Sequence, residues 1–194
     1  MSPTAAKQAE QLRLDGNTYF NKGRFAAAIE AYTEAITLCP NVPIYWTNRA
    51  LGHRKRNNWT KVEDDCRRAI QLDSNSVKAH YMLGLALLQK EEYAEGVKAL
   101  EKALDLGRGA NPKGYMVEEI WQALAKAKYM EWEHESTKRS WELQTLKYEL
   151  ICKMYVRFSI SFFVILVSAC VSGKPVRLLL KKNIYLIVLN WKAS

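Results

Sequence analysis

Small and large apolar side chains recur along residues 9 to 110 at one fixed interval, the distance along the chain from Gly16 to Ala50. Small residues recur where two helices must approach closely, and larger ones recur where a gap must be filled. One helical hairpin cannot cover its own apolar face, so about three stacked hairpins are needed to share a continuous core. The aligned columns are Gly16 with Ala50 and Gly84, Phe25 with Trp59 and Tyr93, Ala28 with Val62 and Gly96, Tyr32 with Cys66 and Leu100, and Ala35 with Ala69 and Ala103.

This period and size pattern resemble the tetratricopeptide repeat, a helix-turn-helix unit. The resemblance implies an all-α solenoid of three repeats, residues 9–42, 43–76 and 77–110, after a short extension over residues 1–8.

Turn-forming residues divide each repeat into two helices. Gly23 separates the first pair, and Pro40 and Pro43 bracket the connection to the second repeat, because proline cannot donate the hydrogen bond that a continuing helix needs. Gly107, Gly109, Asn111, Pro112 and Gly114 predict the end of the array. The predicted helices cover residues 5–21, 25–38, 44–56, 59–72, 77–89 and 93–106.

A longer helix is predicted over residues 113–147. Ile120, Trp121, Leu124 and Ala125 form one apolar stripe, with charged residues off it. We expect the first turns of this helix to seal the exposed end of the third repeat, as the end of a solenoid requires.

The composition changes at residue 148, where a basic and apolar tail begins. Of the net charge of +9, residues 1–147 carry +3 and residues 148–194 carry +6. The apolar run over residues 158–172 is shorter than the stretch of about 20 residues that a bilayer-spanning helix needs. A second run, residues 177–191, is split by Lys181 and Lys182. We expect that the tail, residues 148–194, arises from a retained intron or an alternative last exon. The alternative is that the protein is a membrane receptor anchored through this tail.

Composition and spacing disfavour several classes of function. A near-neutral repeat region beside a basic tail does not favour nucleic-acid binding. The four cysteines, Cys39, Cys66, Cys152 and Cys170, have no spacing suited to zinc. No nucleophile, acid/base pair or phosphate loop is visible, so we expect no catalytic residues, no metal and no cofactor.

The N-terminus, MSPTAAKQAE, lacks the apolar core of a signal peptide, so a cytoplasmic location is expected. The basic run His53, Arg54, Lys55 and Arg56 has the composition of a nuclear signal, and a nuclear location is an alternative. Basic residues at the C-terminal end of a helix also favour its dipole, so a solvated helix end is the preferred interpretation of the run.

The first helix of each repeat is expected to line a concave groove. Two cations and two amides fall on these helices: Arg13, Asn17, Asn48 and Lys78. Asparagine is a weak helix former, so these two positions need a local justification. Taken singly, Asn17 could face water and Asn48 could be an ordinary surface position. As a set, the four look like the two-carboxylate clamp of chaperone-binding tetratricopeptide domains, which holds the C-terminal carboxylate and last aspartate of a Glu-Glu-Val-Asp tail.

Four strings narrow the resemblance to one family: DGNTYFNKGRFAAAIEAYTEAI at 15–36, YWTNRAL at 45–51, DDCRRAIQLD at 64–73 and SVKAHYMLGLAL at 76–87. Over residues 7 to 147 they resemble the CHIP family of chaperone-associated E3 ubiquitin ligases, in its plant form, in which the repeats precede a U-box. The resemblance implies that Arg13, Asn17, Asn48 and Lys78 form the clamp and that Lys55 adds a basic groove position. It implies a contact to the peptide from Glu119 and an apolar pocket of Phe20, Ile44, Leu51 and Tyr81. For Leu51, inter-repeat core is an equally open interpretation.

The family resemblance implies a co-chaperone that binds the C-terminal peptides of 70- and 90-kDa heat-shock chaperones and serves ubiquitin-dependent protein quality control. No counterpart of the U-box is visible after Lys147. We therefore expect a truncated form that binds chaperones without transferring ubiquitin, for which an E2 enzyme would be a partner only if a U-box were present.

Overall fold

The computed structural model describes residues 3–110 and 116–172. Within these ranges the chain forms helices joined by short turns, so the predicted all-α class is confirmed. The helices are α1 (Pro3–Asn21), α2 (Phe25–Leu38), α3 (Pro43–Lys55), α4 (Trp59–Leu72), α5 (Val77–Gln89), α6 (Tyr93–Ala110) and α7 (Met116–Ser172).

Successive helices from α1 to α6 pack against one another, and α3 also contacts both α1 and α5. The pairs α1/α2, α3/α4 and α5/α6 therefore stack as three hairpins whose first helices lie side by side. Such stacking is the arrangement that lets hairpins share one core.

Size complementarity within each hairpin explains the repeating columns of small and large residues. A Cβ atom on Gly16 would lie 2.5 Å from the Tyr32 ring, and one on Gly84 would lie 2.6 Å from Leu100. Real Cβ atoms do not approach other atoms so closely, so glycine is needed where the facing side chain is large. The second repeat has Ala50 where its partner is the smaller Cys66, and both are fully buried.

The turn inside each hairpin also recurs at the repeat interval, in the left-handed backbone region. Gly23 has φ 73°, Asn57 has φ 55° and Glu91 has φ 64°. Glycine adopts this conformation without steric cost, and asparagine tolerates it better than glutamate does. The same turn is therefore least strained in the first repeat.

The sixth helix is longer than predicted. It passes through Gly107 and Gly109 to Ala110 instead of ending at Leu106. A Cβ on Gly107 would lie 3.5 Å from Val117 and 3.7 Å from Val77, which are ordinary packing distances, so this glycine lies inside the helix and does not break it. The predicted break at Asn111, Pro112 and Gly114 lies outside the described residues.

The beginning of α7 seals the third hairpin, as expected. Ile120, Leu124 and Ala127 are buried in the same apolar cluster as Leu100 and Leu104 of α6. Lys128 pairs with Glu101 of α6 at 2.7 Å, and the ring of His134 lies 5.2 Å from that of Tyr93. The predicted stripe was wrong in two members, because Trp121 and Ala125 are exposed on the other side of α7.

The secondary structure does not change at residue 148, because α7 continues to Ser172. The chain divides into two compact units, residues 1–135 and 136–194. In the second unit α7 exposes large apolar side chains, among them Trp141, Tyr155 and Val171. Within the described ranges, no helix combines the length and apolarity needed to cross a bilayer. The apolar run at 177–191 lies outside those ranges.

Candidate functional site

The helical period places the predicted groove residues on facing surfaces of α1, α3 and α5. Arg13, Asn17 and Phe20 share one face of α1, since residues three and four apart are neighbours on a helix. Ile44, Asn48, Leu51 and Lys55 follow the same spacing on α3. Lys78 lies in the first turn of α5.

A chain of hydrogen bonds joins three of the four predicted clamp residues across all three repeats. Lys78 Nζ donates to Asn48 Oδ1 at 3.4 Å, and Asn48 Nδ2 donates to Asn17 Oδ1 at 3.3 Å. The Tyr32 hydroxyl of α2 donates to the same Asn17 oxygen at 2.8 Å. The two asparagines thus have the local justification that their low helix propensity requires.

Burial distinguishes these groups from ordinary surface residues. Asn48 is only 8% exposed, so the interpretation of this residue as a surface position is wrong. Burial also lowers the pKa of Lys78 below that of an ordinary lysine. An ammonium that is partly desolvated and bonded to an amide would be stabilised by an anion brought next to it.

The fourth clamp residue, Arg13, is engaged by an acid one turn earlier on α1. Its Nε donates to both carboxylate oxygens of Glu10 at 3.0 Å, and its Nη2 donates to Oε1 at 2.5 Å. Hydrogen bonds from Arg13 hold the pKa of Glu10 below its usual value. Tyr45 of α3 adds a longer contact to Glu10, at 3.4 Å. Burial raises the pKa of the Tyr32 phenol, and the Arg13 charge partly offsets this rise.

The four apolar groove residues differ in exposure. Ile44 is 47% exposed, and Phe20 is half-buried with its ring edge-on to Phe25 at 5.2 Å. Leu51 is half-buried against the core of the second and third repeats, and Tyr81 belongs to that core. Leu51 therefore contributes to inter-repeat packing, the interpretation left open by the sequence.

The basic run at the end of α3 is only partly solvated. Lys55 and Arg56 are exposed as expected, but His53 is buried and Arg54 is half-buried. The Arg54 guanidinium lies 6.0 Å from the centre of the Tyr81 ring, within cation–π range. Burial raises the pKa of Tyr81, the Arg54 charge lowers it, and the charge of Glu119, which is exposed on α7, raises it. Arg54 and Tyr81 thus pair through a cation–π contact at the end of α3.

Three residues that contact the predicted site residues were not predicted as part of the site: Glu10, Tyr32 and Arg54. The spacing of Glu10 and Arg13, three apart on one helix, was an available signal for an ion pair. Tyr32 was identified only as a core position, although its column holds a hydroxyl in the first repeat alone. Arg54 was assigned to the solvated helix end.

Within residues 3–110 and 116–172, no three or more potential metal-ligating side chains lie close enough together to hold a metal ion. Cys39 and Cys66 are buried, and burial raises the pKa of the Cys66 thiol. A thiol of this kind is a small apolar core residue and is not a reactive nucleophile.

Comparison with known proteins agrees with the repeat architecture. Residues 16–53 match the family model described as TPR repeat, and residues 47–111 match the one described as Tetratricopeptide repeat. The chain is 71% identical over 143 residues to the E3 ubiquitin-protein ligase CHIP of Arabidopsis thaliana, a match that covers 74% of this chain and 51% of the relative. The chain thus spans about half the length of that curated relative.

Solved structures show the same fold. The TPR2B domain of yeast Sti1, in complex with an Hsp70 peptide, is 32% identical with a TM-score of 0.61, over 63% of this chain and 98% of that one. The first TPR of Spaghetti (RPAP3), bound to the HSP90 peptide SRMEEVD, is 30% identical with a TM-score of 0.54, over 62% of this chain and 95% of that one. The chain therefore belongs to the tetratricopeptide-repeat family, and over 143 residues it is similar to the plant E3 ubiquitin-protein ligase CHIP.

Proposed function

We propose that this chain is a co-chaperone module that binds the acidic C-terminal tails of 70- and 90-kDa heat-shock chaperones. The observation that carries the proposal is the chain of bonds from Lys78 through Asn48 to Asn17, which presents one cation and two amides on adjacent first helices. Arg13 adds a second cation one turn before Asn17 on α1.

The chemistry of these groups suits a peptide that ends in an aspartate. Such a peptide carries two carboxylates on its last residue, and ammonium, guanidinium and amide N–H groups all donate to carboxylate oxygens. Two of the solved relatives were determined with chaperone peptides, an Hsp70 peptide in one and SRMEEVD in the other. The partly exposed Ile44 and Phe20 would contact the apolar residue before the aspartate.

The proposal covers the binding step of ubiquitin-dependent protein quality control, the process indicated by the similarity to CHIP. Such chaperone tails are available in the cytoplasm, where we place the activity of this chain.

The test measures the affinity of the full chain for a peptide ending Met-Glu-Glu-Val-Asp, with a free or an amidated C-terminus, by calorimetry. We expect the free-acid peptide to bind more tightly. Lys78→Glu should weaken its binding about thirtyfold or more, since removal of a hydrogen-bonded charge from a buried pair costs about 2 kcal/mol or more. Asn48→Ala should also weaken binding of the free-acid peptide.

Lys98→Glu is the matched control, because Lys98 is exposed on α6, a second helix of its repeat. It makes the same change in net charge away from the groove and should leave the affinity within about twofold, the range of a screened surface charge. If amidation and Lys78→Glu both left the affinity unchanged, the clamp would not be the binding site and the proposal would be wrong.

A further inference from the structure

The hydrogen-bond chain has only one possible direction, because it begins at a group that can only donate. The Lys78 ammonium has three donors and no acceptor, so Asn48 must present its carboxamide oxygen to it. The Asn48 NH2 group then faces Asn17, which must present its own oxygen. The orientation of both amides therefore follows from the position of the lysine.

Asn17 receives two donors on the same oxygen atom. Asn48 Nδ2 lies 3.3 Å from Asn17 Oδ1, and the Tyr32 hydroxyl lies 2.8 Å from it. An asparagine amide has its acceptor at one end and its two donors at the other. Fixing the oxygen between Asn48 and Tyr32 therefore leaves the NH2 group of Asn17 for a ligand.

The shorter of these two bonds comes from a well-fixed side chain. Tyr32 is 2% exposed, and its ring fills the space above Gly16. A tyrosine phenol is protonated at neutral pH, and burial raises its pKa further, so the hydroxyl is available as a donor. A buried donor on a rigid ring fixes its acceptor more firmly than the longer contact from Asn48 does.

The other repeats show that this hydroxyl is not required by the fold. The position of Tyr32 is taken by Cys66 in the second repeat and by Leu100 in the third, and both pack in the core without a hydroxyl. The residues that align with Asn17 at the same interval are Leu51 and Leu85, which have no amide to orient. The hydroxyl thus belongs to the one repeat that has an asparagine at this position.

We infer that Tyr32 is a positioning residue of the peptide-binding groove. Its hydroxyl holds the Asn17 carboxamide with the NH2 group turned toward the C-terminal carboxylate of an acidic peptide. The inference rests on the proposed function and adds to it a residue of a second helix, α2, which does not line the groove.

The experiment replaces Tyr32 with phenylalanine in the full chain, which keeps the ring and removes the donor. Calorimetry with the Met-Glu-Glu-Val-Asp peptide should show binding of the free acid weakened about three- to tenfold, the range of one neutral hydrogen bond. Binding of the amidated peptide should stay within about twofold, because the lost orientation matters only to a ligand that uses the Asn17 NH2 group. Urea unfolding of the variant identifies the conditions under which the whole population is folded, and the binding is measured under those conditions.

Two further variants separate positioning from a general loss of structure. Tyr19→Phe, a change on a half-buried residue of α1 outside the chain of bonds, should leave both affinities unchanged. In an Asn17→Ala background, Tyr32→Phe should cause no additional loss, because the amide through which it acts is gone.

Each outcome decides the inference. A free-acid affinity that Tyr32→Phe leaves unchanged, an equal loss for both peptides, or an undiminished loss in the Asn17→Ala background would overturn it. If neither amidation nor Lys78→Glu changed the affinity, the proposed function would fail and the inference would fall with it. If the unmodified chain preferred the free acid but Tyr32→Phe did not reduce that preference, only the role of Tyr32 would be wrong.

Discussion

Glu10 and Arg13 are paired through three hydrogen bonds on the surface of α1, so one of the two predicted clamp cations is already neutralised by its own helix. The pair leaves Nη1 of Arg13 for a ligand and puts a negative charge beside the expected position of a peptide carboxylate. Glu10 is therefore in a position to compete with the acidic ligand that the groove is proposed to bind.

Replacement of Glu10 with glutamine should strengthen binding of the Met-Glu-Glu-Val-Asp peptide. We expect a gain of about two- to fivefold, the size of one partly screened charge interaction, and a larger dependence of affinity on salt. Asp15→Asn, which removes the same charge from an exposed side chain bonded to Gln11, should have little effect. Weaker binding by Glu10→Gln would show that Glu10 holds Arg13 in place for the ligand and does not compete with it.

The lowered pKa of Lys78 predicts opposite effects of alkaline pH on stability and on binding. Between the folded pKa and the unfolded value of about 10.4, the unfolded chain binds more protons at this site, so the free energy of unfolding should rise with pH. Peptide affinity should fall over the same window, since a neutral amine does not pair with a carboxylate. The Cys66 thiol, whose charge would otherwise affect the pKa of Lys78, stays protonated because burial raises its own pKa.

The measurement compares urea unfolding of the unmodified chain and of Lys78→Met from neutral pH to about pH 10.5, the ordinary lysine range. The difference between the two cancels the titration of other groups. The free energy of unfolding of the unmodified chain should rise relative to that of Lys78→Met as the pH rises. If it does not, the pKa of Lys78 is not lowered.

The strained turn of the third hairpin predicts a stabilising substitution. Left-handed backbone costs a non-glycine residue about 1–2 kcal/mol. Glycine removes this cost, but it also stabilises the unfolded chain through its greater conformational entropy, so only part of the energy is gained. Glu91→Gly should therefore raise the free energy of unfolding by about 0.5–1 kcal/mol. Gly23→Ala, the reverse change in the first hairpin, should lower it. Equal stabilities in urea for Glu91→Gly and the unmodified chain would argue against strain at this turn.

The close approach of α5 and α6 predicts a destabilising substitution. A methyl group on Gly84 would lie 2.6 Å from Leu100 Cγ and 3.1 Å from the carbonyl oxygen of Gly96, and the second contact is to backbone that cannot easily move. Gly84→Ala should cost about 1–3 kcal/mol of stability. Gly109→Ala is the control, because nothing lies within 4 Å of a Cβ there and alanine favours a helix. A Gly84→Ala protein as stable as Gly109→Ala would show that the helices separate without cost.

The repeat period was enough to predict most of the helix bounds. α2, α4 and α5 begin and end at the predicted residues, because the spacing of Gly23, Pro43 and the polar turn before Val77 fixes each hairpin. The predicted end of α6 was wrong because glycine weakens a helix without always ending it: Gly107 is buried inside α6, which continues to Ala110.

The sequence identified which residues could form the site but not how they are bonded. Helical periodicity places Asn17 and Asn48 on facing helices, yet the partner of each amide depends on atoms of another repeat, such as Lys78 Nζ. The role of Tyr32 was not predicted for a similar reason. The sequence pattern indicates that its ring packs in the core, but only the three-dimensional structure shows that its hydroxyl reaches Asn17. The predicted roles of the clamp residues toward a peptide remain predictions.

The pairing of glycine with a large residue and of alanine with a small one limits how the repeats can be recombined. If α3 replaced α1, the Ala50 methyl group would take the place of Gly16 and meet the Tyr32 ring, where a Cβ would lie at 2.5 Å. The two members of each pair lie on different helices of the same hairpin, as Gly16 on α1 and Tyr32 on α2 do. Between the second repeat and either of the others, a first helix can therefore be exchanged only together with its partner helix, and substitutions at the two positions have to occur together.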